Sequence, residues 1–99
     1  IDGAISVEMK LATNWSYTKL LEGLHAQLVG QYLRAGNANF GIYLLFYDGT
    51  QKHWEPSTTE SLNWQELLQR LDEEARMIRL KRLDIDQLVV IGIDVTKST

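Results

Sequence analysis

Apolar and polar residues alternate over the first dozen positions. Ile5, Val7, Met9 and Leu11 fall on one side of an extended chain, and Ser6, Glu8, Lys10 and Ala12 on the other. Period two predicts a strand, and Asp2-Gly3 ahead of it is a hairpin-turn signal. A turn at that place calls for a partner strand before Ile1, so the chain is expected to be the C-terminal part of a larger polypeptide. From Tyr17 to Ala35 the period lengthens to that of a helix. Tyr17, Leu20, Leu21, Leu24, Leu28 and Tyr32 make one stripe, and Gly36 is a natural stop. Gly23 and Gly30 lie on one flank of that helix, where their cost to helix propensity must be offset by the close approach of another backbone.

Phe40 to Tyr47 is a nearly continuous apolar run whose aromatic and β-branched content favours a buried strand, closed by Asp48-Gly49. Thr50 to Ser61, with Pro56, reads as a polar loop. Asn63 followed by Glu66 predicts a capped helix start, with Leu62 and Leu67 placed as a hydrophobic staple. Trp64, Leu67, Leu68, Leu71, Ala75 and Ile78 continue the apolar face of that helix, and Leu88 to Val95 is a second buried strand. The order strand, helix, strand, helix, strand predicts an α/β domain with a mixed or largely parallel central sheet flanked by helices. Nothing interrupts it as a linker or repeat would, so residues 1–99 are expected to form a single domain.

Composition narrows the function. With 99 residues, 44% of them hydrophobic, the chain can bury a modest core without staples. It has no cysteine, which excludes a disulfide scaffold, a thiol nucleophile and a cysteine-ligated metal centre. No apolar run approaches the roughly 20 residues of a membrane span, and no signal peptide opens the chain. The expectation is a cytoplasmic protein with no membrane partner. A net charge of −3 argues against a grip on nucleic acid by bulk electrostatics, while leaving room for a local basic groove.

Chemistry concentrates in Val7-Glu8-Met9-Lys10. An acid and a base two residues apart project from the same face of a strand, beside the small residues Ser6 and Ala12. That pairing suits metal-assisted phosphodiester cleavage. A hard divalent cation takes carboxylate and carbonyl oxygens, here Glu8 and the Met9 carbonyl, and the Lys10 ammonium can orient water and offset developing negative charge. On spacing alone, Glu-x-Lys on a strand is usually a solvated face with a cross-strand ion pair. Other candidates are plainer. His25 and His53 lack metal-pair spacing, Gly36-Asn37-Ala38-Asn39 follows a helix rather than a strand, and Ser16, Ser57 and Ser61 lack a nucleophile elbow. Arg76, Arg79, Lys81 and Arg82 suit a helix C-terminus, and would serve as a phosphate patch only if they shared an edge with Lys10. Trp15 and Trp54 could stack on bases, or else cover the core edge and anchor the long loop.

Ile5-Ser6-Val7-Glu8-Met9-Lys10, then Gln27-Leu28 ahead of Tyr32-Leu33, then Gly41-Ile42-Tyr43-Leu44 resembles the PD-(D/E)XK nuclease superfamily, with its restriction-endonuclease-like fold. The resemblance spans about Ile5 to Asp48. It implies that Glu8 binds Mg²⁺ or Mn²⁺, that Lys10 serves the attacking water and that Gln27 is an auxiliary site residue. Tyr32 comes five residues after Gln27 where the family has Gln-x-x-x-Tyr, and Gln31, nearer the centre of the apolar stripe, is the other glutamine candidate. The family also needs an aspartate ahead of the Glu-x-Lys strand. Asp2 would lie about 20 Å from Glu8 in an extended chain at roughly 3.3 Å per residue, so that ligand is expected upstream of Ile1. The implied activity is that of a metal-dependent endonuclease, a hydrolase acting on nucleic acid, DNA ahead of RNA. The implied partners are that nucleic acid and the remainder of the parent polypeptide. A homodimer is compatible with the resemblance, although nothing in the sequence marks a dimer surface. The competing expectation is a non-catalytic domain that keeps the fold for protein or nucleic-acid contact.

Overall fold

The structure, a computed structural model, describes residues 4–29, 38–81 and 87–96, with side chains given for 7–26, 40–81 and 88–96. Strand β1 (Ala4–Leu11) leads to helix α1 (Tyr17–Glu22), which runs on as a π-helical segment, Gly23–Val29. Strand β2 (Ala38–Tyr47) is followed by a hairpin of β3 (Trp54–Ser57) and β4 (Glu60–Leu62). Helix α2 (Trp64–Lys81) and strand β5 (Gln87–Asp94) complete the order. Asp2-Gly3, Gln31, Tyr32 and Arg82 lie outside the described residues.

The main sheet has the order β1-β2-β5, with both pairings parallel. A mixed sheet was one expectation; among the described strands it is purely parallel, because each pair is joined by a helical crossover rather than a tight turn. β2 is paired on both sides, which explains its unbroken apolar run. Its Tyr43 and Leu45 are fully buried on one face. They lie in register with Glu8 and Lys10 of β1 and with Val90 and Gly92 of β5. The helices cover this face. A Cβ on Gly92 would fall within 2.7 Å of the Trp64 ring and closer still to Leu68, so α2 sits directly on the β5 backbone. The opposite face carries three apolar rows, Val7–Ile42–Val89, Met9–Leu44–Ile91 and Leu11–Phe46–Ile93, beyond a first row of Ile5, Phe40 and Gln87. The expectation of helices flanking the sheet is therefore met on one face only among the described residues.

Helix α2 starts as its sequence predicts. The Asn63 N–H donates to Glu66 Oε1 (2.9 Å) and the Glu66 N–H to Asn63 Oδ1 (2.8 Å), while Leu62 and Leu67 are both buried beside them. Leu67, Leu71, Ala75 and Ile78 form its buried stripe. Asn63→Ala is expected to lower stability by about 1 kcal/mol, and Asn63→Asp to be near neutral, measured by urea unfolding. A loss within error for the alanine variant would mean that packing alone fixes the helix start.

Two expectations need correction. The polar stretch from Thr50 to Ser61 is not only a loop, because Trp54 pairs with Leu62, and Ser57 with Glu60, in an antiparallel hairpin. Trp54 is 1% exposed, its centroid 6.1 Å from both Tyr47 and Trp64, with its indole N–H donating to the Ala12 carbonyl (3.4 Å). It cannot stack on a base. The first helix, expected to run regularly to Ala35, is α-helical only to Glu22 and then widens. At that point the Tyr43 hydroxyl donates to the Leu20 carbonyl (2.8 Å), and a side chain entering the hydrogen-bond ladder is a recognised cause of such distortion. The close approach anticipated at Gly23 is made, by side chains rather than another backbone: a Cβ there would stand 2.9 Å from Tyr43 Oη and 3.6 Å from Lys10 Cε.

Candidate functional site

Among the described strands, β1 is an edge of the sheet. Period two sends Glu8 and Lys10 to the helix-covered face, at the rim, and Met9 to the opposite face, where it is 62% exposed. The Ala12 N–H donates to the Phe46 carbonyl (2.9 Å), which fixes the phase of the ladder. Backbone groups alternate sides along a strand, so residues 8, 10 and 12 bond toward β2 and the Met9 carbonyl turns to the unpaired edge.

The two charged side chains meet there. Lys10 Nζ lies 3.9 Å from Glu8 Oε2, with the side chains 13% and 19% exposed. The ammonium also lies 4.5 Å from the centroid of the Trp15 ring, a cation–π distance. Gly23 passes the aliphatic stem of Lys10 without a side chain of its own. Lys10 is thus held by a carboxylate, an aromatic face and a bare stretch of helix backbone. Deeper in, burial pushes the Tyr43 phenol well above its ordinary value, and the charge of Glu8 adds to that shift. The phenol stays protonated, as its bond to the Leu20 carbonyl requires.

A shallow cleft of about 260 Å³ opens at this rim, lined by Trp15, Lys19, Glu22, Gly23 and Ala26. Gln27 lies on the π-helical segment, which packs against β1 and β2; its side chain is outside those described. Of the site residues expected from the sequence, the structure gives side chains for Glu8, Met9 and Lys10. Trp15 is half-buried against the core, as the plainer reading anticipated, and it also braces Lys10, which sequence reading missed. The signal was weak: an aromatic residue five positions after the lysine, across a turn in which Asn14 takes a positive φ of 69°.

The remaining candidates separate from this site. Arg76 and Arg79 line a small cleft with Leu88 and Val89 of β5, the sheet edge opposite β1, so they share no edge with Lys10 and make no continuous phosphate patch with it. Arg76 pairs with Asp72 one turn back (3.7 Å). His25 is exposed, with Nε2 3.8 Å from Glu74 Oε1, and His53 is exposed in the loop before β3. Ser16 caps α1, accepting from the Lys19 N–H (3.1 Å). At the ends of β1 and β2, Asp48 Oδ1 accepts from the Thr13 hydroxyl and from the Thr50 N–H and hydroxyl, and these bonds, the Thr13 one foremost, hold its carboxyl below the usual carboxylate range. That cluster ties two loops together.

Among the described residues no three His, Cys, Asp or Glu side chains come together as a metal cage. What β1 offers a hard cation is one partly exposed carboxylate and one carbonyl on an open edge, oxygen donors of the right kind but too few by themselves. No described helix is long and apolar enough to cross a membrane. No protein-family model matches the chain, and no curated protein or solved structure matches it either.

Proposed function

We propose that this is a metal-dependent nuclease domain that hydrolyses phosphodiester bonds in nucleic acid, DNA ahead of RNA. The observation that carries the reading is the Glu8–Lys10 pair, 3.9 Å apart at the rim of an edge strand, with the ammonium braced by Trp15 and the strand's outer side open. A solvated surface pair would not need that bracing. Glu8 and the Met9 carbonyl are the residues that would hold Mg²⁺ or Mn²⁺, with Gln27 auxiliary on the helical segment above. When bound, such an ion polarises the phosphate and lowers the pKa of water. Lys10 orients the attacking water and offsets charge developing on the phosphate oxygens. A second carboxylate is required, which a further strand or segment laid along that edge could supply.

The test is divalent-dependent cleavage of labelled single- and double-stranded DNA and RNA by a polypeptide carrying this domain, beside its Glu8→Gln variant. Cleavage should need Mg²⁺ or Mn²⁺, and the variant should lose at least about a hundredfold in rate at limiting metal, as expected for loss of a charged ligand. A folded polypeptide that cleaves nothing, or cleaves equally well without the Glu8 carboxylate, would leave the domain a binding module.

A further inference from the structure

The sheet face opposite the nuclease-like site has no helix on it among the described residues, and the nine positions of its Val7, Met9 and Leu11 rows are all apolar, with Gln87 the polar residue of the next row toward the N-terminal end of the strands. Met9 is 62% exposed, Val7 and Leu11 47%, and Ile91 and Ile93 about 40%. Val95 prolongs the patch past the end of β5, where its N–H still donates to the Tyr47 carbonyl (2.9 Å). Parallel sheets are otherwise covered on both faces. The open apolar surface is on the order of 500 Å², at the upper end of what a monomer leaves bare.

We infer that this face is a self-association surface, occupied by the same face of a second copy of the chain in a two-fold symmetric, sheet-on-sheet dimer. Area supports this occupant. Two such faces bury on the order of 1,000 Å² between them before any rim contact, which reaches the lower bound for a specific interface. Shape supports it as well. Two identical twisted faces of this kind interdigitate at a sheet separation of about 10 Å. The third support is electrostatic. Near a two-fold axis each residue meets its own copy, so any charge would meet its like. The rows centred on Leu44 carry no charge, although the chain as a whole is acidic. Docking there leaves Glu8, Lys10 and Trp15 on the outer side of each copy, so the inference does not depend on the nuclease reading.

Sedimentation equilibrium of a polypeptide carrying this domain, over micromolar concentrations, tests this. The expected result is a monomer–dimer equilibrium with no larger species. Met9→Glu, and independently Ile91→Glu, should each weaken association at least about a hundredfold, because two uncompensated carboxylates are buried per dimer. Both positions face solvent in the single copy, so circular dichroism of the variants should match the parent chain, and either variant suffices if the other fails to fold. Leu80→Glu removes an equally exposed apolar side chain (70% exposed) from α2 and should leave the dimer intact. A chain that stays monomeric throughout overturns the inference and gives the face to a helix of some other polypeptide. A dimer that survives both substitutions, one broken equally by Leu80→Glu, or open-ended aggregation also overturns it.

Discussion

Truncating Trp54 to alanine is expected to remove about 3–5 kcal/mol of folding stability, a large part of the roughly 5–15 kcal/mol a domain of this size has. The reason is the number of elements that meet on one side chain. Trp54 is buried to 1% exposure, tilted against Tyr47 at the end of β2 and against Trp64 at the start of α2. Those two rings are themselves stacked, 4.7 Å apart and 12° from parallel. The indole N–H reaches the Ala12 carbonyl just beyond β1. The strand it opens pairs with β4, whose Leu62 is half of the staple at the α2 N-terminus. Removing the indole opens a cavity between hairpin, sheet and helix, and the rigid rings around it cannot collapse to fill it. Trp54→Phe keeps most of the buried area and loses the hydrogen bond, so its cost should be about 1–2 kcal/mol. Urea unfolding followed by circular dichroism separates the two. A loss below about 1 kcal/mol for the alanine variant would show that the hairpin is peripheral to the core rather than part of it.

What could be read in the sequence follows from how each element earns its burial. β2, β5 and α2 each carry one uninterrupted period; the predicted bounds of β2 and β5 lie within two residues of the observed ones, and α2 starts directly after its predicted cap, Asn63. The β3–β4 hairpin was hidden because its two buried residues, Trp54 and Leu62, are its only large apolar ones, and their partners lie on other elements. The π-helical widening was hidden because its cause, the Tyr43 hydroxyl, arrives from a strand about 20 positions on. The site shows the same division. Alternation placed Glu8 and Lys10 on a common side of β1, but could not say which side faces the helices. The usual rule puts the apolar side inward. Here the reverse holds: Glu8, Lys10 and Ala12 lie under the helices and Val7, Met9 and Leu11 lie open. Such reversals of a local rule are expected where a strand serves a site or an interface.

On the proposed nuclease function, the larger functional effect is expected at Lys10. In a polypeptide carrying this domain, Lys10→Ala should lower the cleavage rate at saturating metal by roughly 10²–10³-fold, the scale of losing one preorganised charge from a site where negative charge develops. The metal concentration giving half-maximal rate should stay nearly unchanged, since Lys10 is no ligand, whereas Glu8→Gln should raise it. That split tells the two roles apart. Lys10→Arg should not restore the rate. The ammonium is a compact point charge 4.5 Å from the Trp15 ring centroid, whereas a guanidinium, which would also stack on that ring, spreads its charge over a longer planar fork and moves it away from that point. Trp15→Ala, which frees the ammonium while leaving its charge, should cost less, about tenfold; Trp15→Phe, still offering a ring face, should recover most of it. If Trp15→Ala and Lys10→Ala lose equal activity and equal stability, Lys10 is a packing residue of the helix–sheet rim, and the open edge of β1 serves some other chemistry.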